Sequence, residues 1–376
     1  MNGLVLIAPN AMRGHVSADG VARGLARGAT RAAPGVPVCM LPVADGGDGT
    51  IDVVARAVGG RRHPLDAPDA QGRPQRTSWL STGCTALVES ARCCGLDGLQ
   101  SVTLAPMRST SAGVGVAIAA AVRAGFRVIS LGLGGTAVVD GGAGALVALG
   151  CTFADADGAP IPPEPRALGA AVRVDLRPAQ RLLADVELRL LADVDTAYTA
   201  SSTHFGAQKG LTDADRPAAA AAMARLVTLA EQANPVGGAD LLRTRSMAPW
   251  WGAGGGIGLG LSTVAKASAV SGASAVLELV DPEDRLGWAP LVVTAEGAID
   301  RSTWSGKAPG AIVAVRTARG LPTALVAARI DARRDHPQLG WQVLAPDDGS
   351  PLDERLADAG AAAVRWFAAT YGEVPA

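Results

Sequence analysis

The chain has 376 residues, of which 48% are hydrophobic, 3% aromatic and 18% charged. At about 150 residues per domain this length indicates about two domains, each with enough residues for a buried core. The 34 basic and 35 acidic residues leave a net charge of −1, which argues against a nucleic-acid-binding protein. Because no apolar stretch is long enough for a bilayer and no signal-peptide pattern stands at the start, we expect a cytoplasmic protein.

The first elements alternate between strand and helix. Residues 3–9 form an apolar run that predicts a buried strand, and residues 18–33 show helical spacing behind the candidate N-cap Ser17. A second strand is predicted over 36–43 and a second helix over 50–58. This alternation predicts an α/β layer whose functional residues lie at the carboxyl ends of parallel strands.

The middle of the chain has a different pattern of predicted elements, and the pattern of the first 60 residues returns near residue 285. Hairpin strands are predicted over 61–83, single strands over 86–89, 127–131, 188–191, 290–294 and 321–327, and helices over 109–125, 213–233, 262–272 and 353–370 and after Lys307. The simplest organisation is a discontinuous α/β domain over 1–60 and 285–376, with a second α/β domain over 61–284 inserted into it.

Loops rich in glycine and acidic residues follow several predicted strands. They are residues 45–49, 132–135, 140–142, 193–195, 252–258 and 296–300. Glycine lets the backbone approach an anion, and carboxylates hold Mg²⁺ or accept a proton from an alcohol, which is what phosphoryl transfer needs. Residues 132–137 also fit the dinucleotide spacing G-x-G-x-x-A, but Asp140-Gly-Gly142 would break the helix that this fingerprint requires.

The use of lysine is selective. Only three of the 34 basic residues are lysines, namely Lys209, Lys266 and Lys307. Because this sequence uses arginine wherever a positive charge only has to be solvated, a retained lysine suggests a chemical role. Lys209 and Lys307 stand beside glycines. The five cysteines have no metal-binding spacing and are expected to be free thiols.

Five motifs occur in the order seen in the type 1 glycerate kinase family. They are residues 42–50, 132–144, 205–210, 252–258 and 294–307, and the chain resembles that family from Ile7 to about Ala328. The resemblance implies an α/β fold of two domains, a Rossmann- or flavodoxin-like discontinuous domain with an inserted α/β domain, facing a cleft. It implies that ATP and Mg²⁺ are used to phosphorylate D-glycerate to 2-phosphoglycerate. The implied partners are a small-molecule substrate and a nucleotide, without nucleic acid or membrane, and the chain is expected to be a monomer or homodimer.

The resemblance, together with side-chain chemistry, assigns expected roles. Asp193 is expected to orient or deprotonate the acceptor hydroxyl, with Asp45 and Lys307 as further catalytic residues. The expected substrate-binding residues are Asn10, Arg13, Ser111 and Glu89. The residues expected to bind the nucleotide are Gly134, Gly135, Thr136, Asp140, Gly141, Gly142 and Lys209. Glu296 and Asp300 are expected to bind the metal, and Ser111 is equally well explained as part of a helix N-cap cluster.

Several polar positions depart from the family pattern. The motif Asp-Ser-aromatic-Lys is replaced by residues 10–13, Asn-Ala-Met-Arg; two polar residues become Val138 and Val139; Asn-Pro becomes residues 196–197, Thr-Ala; and an arginine becomes Ala298. The glycines and most of the acidic residues remain. Three hypotheses stay open: a kinase of glycerate or a related hydroxy acid, a repurposed enzyme for a different and less polar substrate, and a non-catalytic nucleotide-binding protein.

Overall fold

The computed structural model describes residues 3–96, 99, 104–234, 239–345 and 349–374. The chain divides into two compact units. Unit 1 comprises Met1–Asp45, Asp52–Val58 and Ala273–Ala376, and unit 2 comprises Gly46–Ile51 and Gly59–Gly272. Residues 46–51 therefore belong to unit 2 and residues 273–284 to unit 1, whereas the sequence analysis assigned each stretch to the other domain. None of the helices in the described part of the chain combines the length and apolarity needed to cross a membrane.

The elements are numbered in chain order. The strands are β1 Val5–Ile7, β2 Val38–Met40, β3 Arg61–Pro68, β4 Pro74–Thr82, β5 Thr85–Glu89, β6 Val128–Leu133, β7 Thr152–Ala154, β8 Pro160–Ile161, β9 Arg173–Asp175, β10 Glu187–Ala192, β11 Lys266–Ser271, β12 Leu291–Ile299, β13 Thr323–Ile330 and β14 Leu339–Val343. The helices are α1 Ala18–Ala32, α2 Thr50–Val58, α3 Ser90–Cys94, α4 Ala112–Arg123, α5 Ala143–Ala148, α6 Pro165–Leu168, α7 Arg177–Leu182, α8 Ser201–Phe205, α9 Asp215–Ala233, α10 Ala239–Met247, α11 Ile257–Leu261, α12 Gly272–Val280, α13 Ala308–Ala318 and α14 Leu352–Tyr371.

Unit 1 is built on a five-stranded parallel sheet of order β14-β13-β12-β1-β2. Neighbouring side chains of β1 point to opposite faces. Val5 and Ile7 pack with residues of α1 and α14, while Leu6 packs with residues of α12 and α13. Because helices cover both faces, every residue of β1 is buried, which explains its unbroken apolar run.

Unit 2 contains a six-stranded sheet of order β11-β10-β6-β5-β4-β3 and a three-stranded sheet of order β8-β7-β9. In the larger sheet β5, β6, β10 and β11 run parallel, and β3 and β4 join them as an antiparallel hairpin. The predicted helix over 262–272 is wrong, because Lys266–Ser271 pairs with β10 as a strand at the sheet edge. Exposed Lys266, buried Ala267 and exposed Ser268 show the alternation of a strand. The predicted α/β class is confirmed in both units.

Helices α1 and α14 cross at glycines that leave no room for a side chain. A Cβ atom on Gly28 would lie 1.6 Å from the carbonyl oxygen of Ala357, and one on Gly360 would lie 2.1 Å from that of Leu25. The two backbones therefore lie closer together than any side chain would allow. This crossing covers one face of the unit 1 sheet, and so it supports the strands that carry the candidate site.

We predict that Gly28→Ala destabilises the protein by about 1–3 kcal/mol, because the helices must move apart to admit the methyl group. The free energy of unfolding in urea measures this effect. Gly169→Ala is the matched control, since a Cβ atom there would meet nothing within 4 Å and the backbone is right-handed helical. Equal stability of the two variants would contradict the close crossing.

Candidate active site

The first cluster of predicted site residues lies at the carboxyl edge of the unit 1 sheet. Asn10 follows β1 and Asp45 follows β2, and both side chains are buried. The Asn10 amide Nδ2 donates to Asp45 Oδ2 at 2.9 Å, and its Oδ1 accepts from the backbone N–H of Ala11 at 2.8 Å. Asn10 therefore holds the Asp45 carboxylate in a fixed position through a neutral donor.

Glu296, near the end of β12, forms the second half of this cluster. Lys307 Nζ lies 2.9 Å from Glu296 Oε1, and the Thr303 hydroxyl donates to Glu296 Oε2 at 3.0 Å. Burial opposes the charge on Lys307, but Glu296, with Asp300 and Asp45, outweighs it and raises the pKa of Lys307. Lys307 is therefore a fixed positive charge, held at the start of α13 beside the carboxylates.

Asp300 shapes the turn between Glu296 and Lys307. Its Oδ1 accepts from the backbone N–H groups of Ser302 at 2.7 Å and Thr303 at 3.3 Å, which caps the 3-10 turn Arg301–Ser305. The Asp300 N–H in turn donates to the Thr303 hydroxyl at 3.1 Å. Thr303 thus connects the cap to Glu296, a functional link that the sequence analysis missed; the Asp-x-x-Thr spacing of a capping box was the available signal.

The metal assignment to Glu296 and Asp300 stays a prediction. Glu296 is already paired with an ammonium and a hydroxyl, and Asp300 caps a turn. Among the described residues, no group of three or more His, Cys, Asp or Glu side chains is arranged to hold a metal ion. Mg²⁺ that enters with nucleotide phosphates keeps several waters and needs only one or two carboxylates from the protein.

In unit 2, Glu89 at the end of β5 organises the loop that precedes α2. The carboxylate is fully buried and accepts from the backbone N–H groups of Gly49 at 3.1 Å and Ile51 at 2.8 Å. Burial, only partly offset by Arg92 and these donors, raises the pKa of Glu89 to about 7. The role of Glu89 in substrate binding stays a prediction; in the structure its oxygens accept from the backbone of this loop.

Asp140 acts in the same way between β6 and α5. Its Oδ2 accepts from the Ser111 N–H at 2.8 Å, the Ser111 hydroxyl at 2.7 Å and the Gly144 N–H at 3.0 Å, and its Oδ1 accepts from the Gly142 N–H at 3.0 Å. Asp140 is 1% exposed. The ligand-binding roles expected of Asp140 and Ser111 stay predictions; in the structure their hydrogen bonds join the starts of α4 and α5.

Lys209 is buried beneath the loop that follows β6. Its Nζ donates to the Val138 carbonyl at 2.7 Å and lies 3.1 Å from the Thr136 hydroxyl oxygen. Burial lowers the pKa of Lys209 to about 8, although Cys94, Asp193 and Asp140 act in the opposite direction. Lys209 and Thr136, both predicted to bind the nucleotide, therefore lie together.

Asp193, directly after β10, lies against glycine backbone. A Cβ atom on Gly134 would lie 2.4 Å from the Gly47 Cα and 2.8 Å from Asp193 Oδ2. Only glycine at position 134 allows this half-buried carboxylate to come so close to the main chain. The structure thus brings Asp193 together with Gly134, one of the predicted phosphate-binding glycines.

The remaining glycines of this loop have packing roles. Gly135, Gly141 and Gly142 have φ values of +67°, +63° and +91°, in the left-handed region that favours glycine. A Cβ atom on Gly141 would lie 2.4 Å from the Tyr198 hydroxyl, and one on Gly142 would lie 2.8 Å from the Ile257 carbonyl. Their retention is explained by the fold of unit 2.

The two valines that replace polar family residues point into the protein interior. Val138 is fully buried in the main hydrophobic core of unit 2, and Val139, 1% exposed, packs with Leu211 and Ala219. They do not support the inference of a less polar substrate. Arg13, by contrast, is exposed at the tip of a small hairpin in which the backbones of Met12 and Val16 pair.

Most of the predicted site residues form two groups, and Thr303, which was not predicted, joins the first of them. The unit 1 cluster contains Asn10, Asp45, Glu296, Asp300, Thr303 and Lys307. The unit 2 group contains Glu89, Ser111, Gly134, Thr136, Asp140, Asp193 and Lys209. Each combines carboxylates with one lysine, which suits the binding and neutralisation of a charged ligand.

The contact between Asn10 and Asp45 leads to a prediction about cation dependence. In Asn10→Asp two buried carboxylates would face each other, so they must share a proton or recruit a cation. We expect a loss of stability of about 1–3 kcal/mol in the presence of a chelator, partly recovered on adding Mg²⁺. Thermal unfolding with and without Mg²⁺ measures this, and Asn10→Ala, which adds no charge, should show no such recovery. An Asn10→Asp protein as stable as the parent in chelator would contradict the prediction.

The raised pKa of Glu89 predicts a pH dependence of stability. The unfolded chain ionises Glu89 near pH 4.5 and the folded chain near pH 7, so the free energy of unfolding should fall as pH rises through this window, by roughly 3 kcal/mol in total. Glu89→Gln stays neutral and should lack this component. Urea unfolding across the window measures it, with Glu187→Gln, on the same sheet but less buried, as control. A difference between wild type and Glu89→Gln that is constant with pH would refute it.

Comparisons with known proteins agree with this architecture. A family model described as the glycerate kinase family matches residues 5–359. The chain is 33% identical over 331 residues to a glycerate kinase of Bacillus subtilis (strain 168), covering 87% of this chain and 85% of that protein. It is 30% identical over 310 residues to a glycerate 2-kinase of Escherichia coli (strain K12), covering 81% and 80%. A crystal structure from Salmonella typhimurium LT2 with the provisional name glycerate kinase 2 superposes with a TM-score of 0.78 at 26% identity, covering 98% of both chains. The predicted resemblance and fold are confirmed, and the chain belongs to the glycerate kinase family.

Proposed function

We propose that this protein transfers the γ-phosphoryl group of ATP to a hydroxyl of D-glycerate. The observation that carries the proposal is the unit 1 cluster, in which Asp45, Glu296 and Lys307 stand together at the carboxyl edge of a parallel sheet. Family membership supports a kinase, and ligands of open α/β sheets bind outside the carboxyl ends of the strands. Asn10 after β1 and Glu296 on β12 flank the point where the strand order reverses.

The proposed reaction needs few covalent steps from the protein. The substrate hydroxyl oxygen attacks the γ-phosphorus, the bond to the bridging oxygen breaks, and ADP leaves. Asp193 orients the hydroxyl and accepts its proton, and Lys307 neutralises charge on the transferred group. Mg²⁺, when bound with ATP, supplies charge neutralisation for the phosphates.

Binding and positioning fall to the other residues. Gly134, with no side chain, leaves its backbone accessible beside Asp193. Lys209 fixes the loop after β6 through the Val138 carbonyl, while Asp140 and Glu89 hold the two loops by their backbone N–H groups. These contacts pre-organise the site, and phosphoryl transfer depends mainly on such positioning.

A second candidate acceptor is a related small hydroxy acid. Two departures favour it: Asn10 replaces an acid, and Ala298 removes an arginine from the β12 end of the cluster. Incubation with Mg²⁺ and ATP, followed by ADP release, separates the candidates when D-glycerate is compared with other hydroxy acids. Robust formation of phosphoglycerate supports glycerate; turnover of another acid alone supports the second candidate; nucleotide binding without any turnover supports a non-catalytic role.

We predict that Asp193→Asn lowers kcat by at least about 100-fold, because an amide cannot accept the hydroxyl proton. The KM for ATP should change little. Steady-state kinetics with the best acceptor measures both, and Asp195→Asn is the matched control, since Asp195 lies on the same loop and is exposed. Full activity of Asp193→Asn would remove Asp193 from the mechanism.

A further inference from the structure

An arginine–tryptophan platform borders the unit 1 cluster and has no part in the roles assigned above. The Arg334 guanidinium lies 4.5 Å above the Trp304 ring, and that of Arg333 lies 5.2 Å above the Trp341 ring. The two indoles meet edge to face, with centroids 6.3 Å apart. The Trp304 Nε1–H donates to the Ala332 carbonyl at 2.8 Å, which joins this ring to the segment that carries both arginines.

The platform and the unit 1 cluster share one structural element. Thr303 and Trp304 are neighbours in the 3-10 turn Arg301–Ser305, which leads directly to Lys307. The Thr303 hydroxyl donates to Glu296, while the Trp304 ring carries Arg334. The arginines follow β13, which is the neighbour of β12 in the parallel sheet, so they extend from the same carboxyl edge.

Both guanidiniums are held in place without a carboxylate partner. Among the residues that the structure describes, no Asp or Glu oxygen lies within 4 Å of Arg333 or Arg334, and both side chains are exposed. Arg329, four residues earlier, instead pairs with Asp331 at 2.6 Å. A guanidinium stacked on an indole keeps its N–H groups directed sideways, ready for a phosphate oxygen.

The negative charge of a nucleoside triphosphate gives the arginines of this platform a role. The unit 1 cluster carries three carboxylates, Asp45, Glu296 and Asp300, against the single ammonium of Lys307. A triphosphate approaching this edge would meet a net negative group. Two additional cations at the same carboxyl edge of the sheet would offset that excess, and arginine binds phosphate through paired hydrogen bonds.

We infer that Arg333 and Arg334, positioned by Trp341 and Trp304, bind the phosphate chain of the nucleoside triphosphate. This inference rests on the proposed kinase function. The exposed cation–π pairs alone contribute little to stability, so binding of an anion is the effect that distinguishes the platform from a surface cluster.

The test is the double variant Arg333→Gln with Arg334→Gln. Glutamine keeps a planar amide to lie on the indoles but removes both charges. We expect the Kd for ATP, measured by titration calorimetry, to rise at least about tenfold, because each lost hydrogen bond to a charged group costs about that factor. Inorganic tripolyphosphate should be weakened equally, and the KM for the acceptor should stay unchanged. Lysine at both positions should recover part of the affinity.

The matched control is Arg319→Gln, since Arg319 is exposed, is paired with Asp284 and lies at the opposite end of α13 from Lys307. Unchanged ATP affinity in the double variant, with a wild-type enzyme that binds ATP and turns over, would overturn the inference and leave the proposed function standing. A loss of affinity for the phosphorylated product alone, with the affinity for ATP intact, would also overturn it. A wild-type protein that binds neither ATP nor tripolyphosphate would refute the proposed function and this inference together.

Discussion

Carboxylates that accept hydrogen bonds from backbone N–H groups shape the loops of this protein. Glu89 holds the loop before α2, Asp140 joins the starts of α4 and α5, and Asp300 caps the turn that leads to Lys307. Without these acceptors the loops would leave N–H groups without partners, which costs free energy. A carboxylate offers two oxygens and several lone pairs, so one side chain fixes a whole loop. The positions of the catalytic candidates depend on these loops.

Because an acidic residue can be needed for the fold of a loop, its retention is not by itself a sign of catalysis. Asp140 keeps its identity because four hydrogen bonds within unit 2 require it, whatever reaction the protein performs. Its retention therefore does not distinguish an enzyme from a binding protein. Asp45, Glu296 and Lys307 distinguish the two better, since a lysine and two carboxylates gathered at one sheet edge exceed what the turns there need.

Much of the fold was predictable because the spacing of apolar residues and the residue types at the turns indicated the same elements along the chain. The apolar run of β1 reflects its burial between layers of helices, and the helical spacing of apolar residues in α1 reflects the burial of one face of that helix against the sheet. The prediction of a helix around β11 was wrong because alanine favours helix, whereas pairing with β10 makes this segment a strand whose side chains alternate. Val138 replaces a polar residue of the family pattern in a glycine-rich motif, and tertiary packing directs its side chain into the core. Sequence patterns identify which loop bears a residue, whereas the direction of its side chain depends on neighbours distant in sequence.

The departures in and beside the unit 1 cluster leave its net charge unchanged, although they remove two charged side chains. Asparagine at position 10 removes one negative charge relative to the family pattern, and Ala298 removes one positive charge. The two positions lie on neighbouring elements, since the Asn10 N–H donates to the Ala295 carbonyl of β12. Arg13 in place of lysine changes geometry and keeps charge. In a site without function, the loss of a negative charge need not be matched by the loss of a positive charge. In a site that still binds a charged ligand it is expected to be matched, because an uncompensated buried charge is costly. The compensation therefore favours a working ionic site with altered contacts to its acceptor.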